Sequence, residues 1–354
     1  MNYFVIGYYA LLIGASCYFA STGKRGPFMT IFSLTLVSFI VGIVGGESAL
    51  WTVTILAGII AFSAGTAYAF REFLIVITPS ETQKALRTAP LTASFGMFVI
   101  MTYAIAGIFA PIIAPFSESE VIGAAFAPAD ETMLLGGDQL GRDLFSRLVY
   151  GARNTVGLAL VATIAAFVMG AIAGLLAATK GGWFDQFMGR VADVIMSIPS
   201  LIFALLMLSI FGTNLIVLVI IIAVIYSPRV FRLTRAVAGN IVVMDYIEAA
   251  RLRGEGMWYL IRKEILPNST APLIAEFGLE FCFVFLLLSG LSFLGLGIQP
   301  PTADWGSMVR ENATLISFGE ITPLIPAAAI ALLTVAVNFV VDWMLFRSSG
   351  LKEQ

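Results

Sequence analysis

Four carboxylates, Asp193, Glu276, Glu280 and Asp342, stand in or beside long apolar runs, and a dense block of charge fills residues 245–267. A charge inside a membrane span is expensive and by default marks function. Glu276 and Glu280 are four residues apart, so a helix places both on one face, where they could serve a proton or cation relay or line a pathway. They also lie within about three turns of one end of their run, where solvation or pairing with arginine is cheap. A structural role therefore stands beside the functional one. Other chemistry is scarce. Histidine is absent, which removes the usual base at neutral pH and the commonest transition-metal ligand. No phosphate-cradling G-x-x-x-x-G-K-[ST] loop occurs; Lys180-Gly181-Gly182 lacks its order and spacing. Cys17 and Cys282 sit in apolar runs without a pairing pattern and read as small core residues. We expect no catalytic, metal or cofactor site in this chain.

The elements that position these groups follow from composition. Of 354 residues, 59% are hydrophobic and 12% charged, about half the usual charged fraction of a soluble domain. The bilayer is the solvent that such a chain requires. Nine stretches approach the length needed to cross it: about 3–20, 28–45, 50–70, 94–115, 156–178, 191–211, 214–236, 271–292 and 323–346. The first has its positive charges, Lys24 and Arg25, after it rather than before, and reads as a retained span. The seventh meets Pro228-Arg229 and must be short or continue through a proline bend. Pro199 should bend the sixth, a candidate hinge facing the pathway. Gly170 and Gly174 form a small-residue pair for close helix packing. Trp183, Trp258 and Trp305 fall at expected membrane interfaces and read as anchors.

With the N-terminus outside and all nine spans crossing, 16 of the 20 lysines and arginines face the cytoplasm, as basic residues prefer. The C-terminus is then cytoplasmic, and the polar stretches 116–150 and 293–322 are external. The expected organisation is residues 1–78 as accessory N-terminal helices, 79–93 as a cytoplasmic linker, 94–346 as a six-span core, and 347–354 as a tail. The fold class is all-α integral membrane protein, six core spans preceded by about three more.

The charged block 245–267 lies on the cytoplasmic side in this reading. Asp245 and, three residues on, Glu248 look like a capping-box start. Good helix formers run to Arg253, and Gly254 suits the position just past the helix end. A second short helix from Met257 to Ile265 is expected to stop at Pro267. A helix–glycine–helix elbow outside the membrane can carry a push between a helical bundle and a soluble partner.

The residues of this elbow resemble a known motif. Glu248-Ala249-Ala250, then Gly254, then Leu266-Pro267 are similar to the coupling loop of ABC-type importer permeases. Gly137-Asp138-Gln139-Leu140-Gly141-Arg142-Asp143, Ser146-Arg147 and Tyr150-Gly151-Ala152-Arg153 resemble a segment of the dipeptide, oligopeptide and nickel permeases. So do Leu291-Ser292-Phe293-Leu294-Gly295-Leu296-Gly297, Gln299-Pro300-Pro301 and Asp304-Trp305-Gly306. The resemblance covers about 94–346, is closest to the second permease subunit of such importers, and does not reach 1–78. It implies a transport subunit, not an enzyme, in the inner (cytoplasmic) membrane. The implied partners are a second homologous permease subunit, two ATPase subunits that carry ATP and Mg, and an extracellular or periplasmic substrate-binding protein. Nucleic acid is not among them. It assigns Asp245, Glu248, Ala249, Ala250, Gly254, Leu266 and Pro267 to ATPase coupling, with peptides as cargo and nickel or another small solute as the alternative. A secondary transporter driven by an ion gradient is the rival; it should show midplane charges and broken helices in symmetric halves, which the sequence does not display.

Overall fold

The computed structural model describes residues 62–320 and 322–348, with scattered positions nearer the N-terminus (11, 12, 15, 29–31, 33, 34, 36 and 37). The chain divides into two compact units, Met1–Leu91 and Thr92–Gln354. In the first, residues 62–77 are helical and a short helix α1 spans Ser80–Arg87. The turn between them is closed by Gln83 Nε2, which donates to the Thr78 carbonyl at 3.0 Å. The first two expected spans and most of the third lie outside the described residues; the third is helical over 62–70.

The regular structure of the second unit is helical, with two isolated β-bridges and no strand among the described residues. Its long helices are α2 (Leu91–Ile108), α3 (Leu144–Lys180), the pair α4 (Gly182–Met196) and α5 (Ser200–Phe211), and α6 (Leu215–Val242). After a short helix α7 (Asp245–Leu252) come α8 (Met257–Phe293), a short helix α9 (Trp305–Asn312) and α10 (Leu324–Ser348). Local chemistry sets several boundaries. Asp143 begins α3 by accepting the Ser146 N–H at 2.8 Å, and Asn214 begins α6 by accepting the Ile216 N–H at 2.9 Å, each satisfying an orphan donor. Gly181 and Gly212, at φ +63° and +83°, end α3 and α5 in a conformation that only glycine adopts cheaply.

The sixth expected span is not one helix. α4 and α5 meet at 88° across Ser197–Pro199, and α5 alone, at about 1.5 Å per residue, covers only about 18 Å of a core about 30 Å thick. Whether the pair crosses is settled by its neighbours. A Cβ on Gly170 of α3 would meet Val230 of α6, and one on Gly174 would meet Phe231 O and Thr234. Positions rise together, so α3 and α6 run parallel, and the chain between them must return across the membrane. The broken pair is therefore the missing crossing, and there are six among the described residues. In contrast, α6 stays continuous through Pro228; the carbonyl of Val224, deprived of its usual donor by the proline, accepts the Ser227 hydroxyl at 3.3 Å, the remedy that serine supplies in apolar surroundings.

The remaining crossings alternate. Tyr103 of α2 donates to the Ala329 carbonyl of α10 at 3.3 Å, while a Cβ on Gly96 would meet Val340 at 3.0 Å, so α2 and α10 are antiparallel. Cys282 and Gly278 of α8 touch Thr334 and Val341 of α10 in the same sense. One face thus gathers the start of α2, the ends of α3, α6 and α10, and all of α7. The other gathers 109–143, 212–214 and 294–320. The core between them is built from Ala159, Ala162 and Ala166 of α3, Leu218, Ile222 and Tyr226 of α6, and Phe281, Phe285 and Leu288 of α8. Small residues on α3 let α6 approach closely, as helices in lipid require.

Candidate functional site

The elbow is present. Helix α7 starts one residue earlier than a cap at Asp245 implies: Met244 is the N-cap, without a side-chain bond, and Asp245 and Glu248 lie in the first turn, where the helix dipole favours them. At its other end the Gly254 N–H donates to Arg251 O at 2.9 Å and the Glu255 N–H to Ala250 O at 3.2 Å. With Gly254 at φ +85° this is a Schellman cap, and it turns the chain sharply into α8. The inner side of the elbow is apolar. Ile247 and Ala250 pack with Leu260, Ile261 and Ile265 against Leu175 of α3 and Ala238 of α6. The outer side exposes Glu248, Ala249 and Gly254, flanked by Leu252 at 83% and Trp258 at 66% exposure. Ala250 is therefore an anchor, small because it is buried, and differs from its neighbour Ala249.

Pro267 does not end the second helix. Residues 257–293 are one helix with a π-turn over Leu260–Ile265, where the Leu266 N–H reaches back five residues to Ile261 O. The wider turn shifts the ladder just before the ring that would otherwise crowd the carbonyl four residues back. Asn268, Ser269 and Thr270 side chains bond the carbonyls of Glu264, Ile265 and Leu266 at 2.6, 2.9 and 3.0 Å. Leu266 and Pro267, both exposed, are thus the root of a rigid rod rather than the close of a separate elbow helix.

On the opposite face the two loops read as external interlock. Arg142 Nε meets Asp138 Oδ2 at 2.7 Å and its Nη2 meets Glu311 Oε2 at 3.1 Å; Arg147 reaches the same two oxygens at 2.6 and 3.2 Å. All four side chains are buried. Burial pushes the Glu311 carboxyl above the ordinary carboxylate range against the pull of Arg142. Asp304 caps α9 through the Ser307 N–H at 2.8 Å and accepts Thr155 Oγ1 at 2.8 Å; burial raises its carboxyl as well. Glu118 accepts both the Asn154 amide and the Ala303 N–H, at 2.9 and 2.7 Å. Trp305, expected as an interface anchor, is instead fully buried. Its Nε1 donates to Leu148 O at 2.9 Å, and its ring stacks edge-on against Tyr103 where a Cβ on Gly151 would clash. Trp183 and Trp258 are exposed. Sequence reasoning placed Asp138, Arg142, Arg147 and Glu311 on one side of the membrane but missed their pairing, because Glu311 is far from the others in the chain.

Tyr226 and Arg229 of α6 link the Pro199 break to Glu276 and Glu280. The break at Ser197–Pro199 puts Ser200 beside the Tyr226 side chain of α6. Tyr226 donates to Phe283 O of α8 at 3.1 Å. One turn along, Arg229 lies over the Phe283 ring and acts electrostatically on both Glu276 and Glu280. Glu280 is buried and one of its oxygens has no hydrogen-bond partner; Glu276 is half-buried. Nearer the elbow, Asp193 pairs with Arg232 and Asp185 with Arg235, tying α4 to α6. A broken helix and a charge cluster between α6 and α8 are thus both present, although no symmetric counterpart occurs among the described residues.

Six apolar helical crossings among the described residues define a multi-pass, all-α integral membrane protein. Its relatives place it further. Residues 166–348 match the family of binding-protein-dependent transport system inner membrane components. The di/tripeptide transport system permease protein of Pseudomonas aeruginosa is 34% identical over 254 residues, 70% of this chain and 84% of that protein. The dipeptide transport system permease protein of Haemophilus influenzae is 32% identical over 71% and 87%. The probable D,D-dipeptide transport system permease protein of Escherichia coli is 31% identical over 73% and 86%. The chain belongs to the binding-protein-dependent transport system inner membrane components.

Proposed function

We propose that this chain is one of two permease subunits of an ATP-driven peptide importer, and that its elbow is where an ATPase subunit grips it. The observation that carries this reading is the elbow's two-sidedness. Ile247 and Ala250 fasten α7 to the ends of α3 and α6, while Glu248, Leu252 and Trp258 face away from the bundle. A rigid lever whose outer side carries Glu248 and basic residues beside exposed Leu252 and Trp258 suits a protein partner that pushes on it. The basic residues Arg251, Arg253, Arg262 and Lys263 cluster on this face, which supports a cytoplasmic elbow and C-terminus. Peptide cargo is read from the functions named for the relatives; nickel or another small solute is the alternative.

In the proposed cycle, ATP and Mg act in two separate ATPase subunits. Their closure drags α7, and the motion passes through the π-turn into α8 and through the Leu175–Ala238 contact into α3 and α6. A second, homologous permease completes the pathway, and an extracellular or periplasmic binding protein delivers cargo to the interlocked outer loops. The ATPase subunits can shift the permease only by binding its two states with different free energy. Residues 1–78 are taken as accessory helices and 79–93 as a linker.

The test is Glu248→Lys in the reconstituted complex. Uptake should be lost and hydrolysis should no longer respond to loaded binding protein, with the complex still assembled. Normal uptake and normal stimulation would remove the elbow from the mechanism. Impermeant maleimide on Leu252→Cys should label only from the cytoplasmic side. Uptake that persists without ATP under an imposed ion gradient would favour the secondary-transporter rival instead.

A further inference from the structure

We propose that Arg229, Glu276 and Glu280 form a solute subsite halfway across the membrane, whose two carboxylates receive a primary ammonium group such as the α-amino end of a peptide. The proposal rests on the peptide-import reading above.

Depth comes first. Arg229 lies midway along α6 (Leu215–Val242) and Glu280 midway through the apolar part of α8, with the Tyr226–Phe283 hydrogen bond joining the two helices at that level. At this depth a charge survives only against protein or water. Arg229 is exposed. Its guanidinium lies 4.6 Å from the Phe283 ring centre and 5.5 Å from that of Tyr226, so one face is covered by aromatic carbon. Among the described residues it makes no ion pair within 4 Å, whereas Arg232 and Arg235 on the same helix each hold an aspartate. An exposed and unpaired guanidinium in mid-membrane must therefore border a hydrated passage.

Charge comes second. Glu280 is 1% exposed, and its Oε2 is buried with no hydrogen-bond partner. A buried acceptor left in that state is costly and calls for a donor. Glu276 sits one turn away on the same face of α8, near enough for the two carboxylates to repel each other. Two anions against one cation leave a deficit of one positive charge. An ammonium, with three N–H donors on a compact centre, can bond both carboxylates at once. A metal ion fits less well, since no cluster of three or more acidic, cysteine or histidine side chains occurs among the described residues.

Access comes third. The bundle is interrupted at this level and nowhere else among its described crossings: α4 ends and α5 begins at Ser197–Pro199, beside Tyr226. Beyond the break, Phe203, Met207 and Phe211 of α5 leave an apolar cavity of about 290 Å³ against Val217, Ile220 and Val224 of α6. That arrangement gives a charged station followed by an apolar stretch towards the outer face.

The experiment uses proteoliposomes holding the complete importer and its binding protein. Uptake of radiolabelled dialanine is compared with ATP hydrolysis stimulated by the loaded binding protein. For Glu280→Gln, uptake should fall about tenfold or more, the loss of one charge-assisted bond, while stimulated hydrolysis stays within about twofold; Glu280→Asp should recover part of the uptake. Unchanged uptake overturns the proposal, and so does an equal loss of uptake and hydrolysis, which marks a structural role. If the Glu280→Gln complex fails to assemble, Glu276→Gln at its half-buried position should lose about threefold in uptake, and no loss there overturns the proposal. Independently, a labelled hydrophobic carbodiimide should modify Glu280 in the native complex. Millimolar dialanine should slow that reaction and N-acetyl-dialanine should not; equal protection by both, as a proton relay would give, overturns the ammonium assignment. Should native vesicles take up no dialanine at all, the peptide reading falls, and protection by propylammonium then decides whether the carboxylates accept an ammonium.

Discussion

The two faces of this membrane protein treat charge in opposite ways. On the face opposite the elbow, Asp138, Arg142, Arg147 and Glu311 are buried together, each in contact with a partner of opposite sign. On the elbow face, Asp245, Glu248, Arg251 and Arg253 are exposed, and none forms an ion pair among the described residues. Buried charges are held in one geometry because any other leaves a desolvated ion unpaired. Exposed charges are free to meet a partner with little prior cost. The contrast separates a stiff platform, which fixes the 116–150 and 293–322 loops together, from an open lever fastened only by its apolar underside.

That contrast can be broken at five points, taken in order of expected effect on stability. Arg147→Met removes one cation from the buried quartet and should cost about 3–5 kcal/mol, read as a fall in the melting temperature and yield of the purified complex; a loss no larger than that of a surface arginine would undo the platform reading. Asp304→Ala removes the α9 cap and the partner of Thr155, and should cost about 1–2 kcal/mol in the same assay. Gly254→Ala forces a side chain into a left-handed conformation and should cost about 1 kcal/mol, confined to α7 and visible as faster amide exchange over Asp245–Glu255. Even exchange across the whole chain would show that the elbow is not an independent unit.

The remaining two effects are smaller. Burial raises the Glu311 and Asp304 carboxyls, so folding favours their protonated forms. Their contribution to stability is present below the ordinary carboxylate range and is lost as pH rises through the raised values. Mild acidification should therefore preserve or improve the melting temperature, and Glu311→Gln should flatten that dependence. A native melting temperature that drops on mild acidification, with no difference in Glu311→Gln, contradicts it. Glu248→Lys should change stability by no more than about 0.5 kcal/mol yet abolish coupled uptake, the sharpest expression of the difference between the two faces.

Much of the site was legible because it is local. Gly254 in a Schellman cap, Pro199 at a break, and Gly170 and Gly174 under α6 follow from backbone rules that act within a few residues or from the size of a single side chain. The six core crossings were legible too, since apolar length alone sets them. Pro267 was misread for a related reason: the proline rule is local, but a π-turn in the preceding residues absorbs it, and such turns leave no composition signal. Pro199 marked the place of the bend in the sixth span, but its size, 88° between two separate helices, is a matter of packing that hydropathy does not register.

What the sequence determined alone is the solvent and the order of elements: too few charges for water, six core apolar runs of crossing length, and one charged elbow between the fourth and fifth. Only the tertiary structure decided that Glu311 completes a quartet begun at Asp138, that Trp305 is core rather than anchor, and that Tyr226 stands between Ser200 and Glu280. These are contacts between residues tens to hundreds of positions apart. Their free energy depends on distance and burial, quantities that exist only once helices have packed.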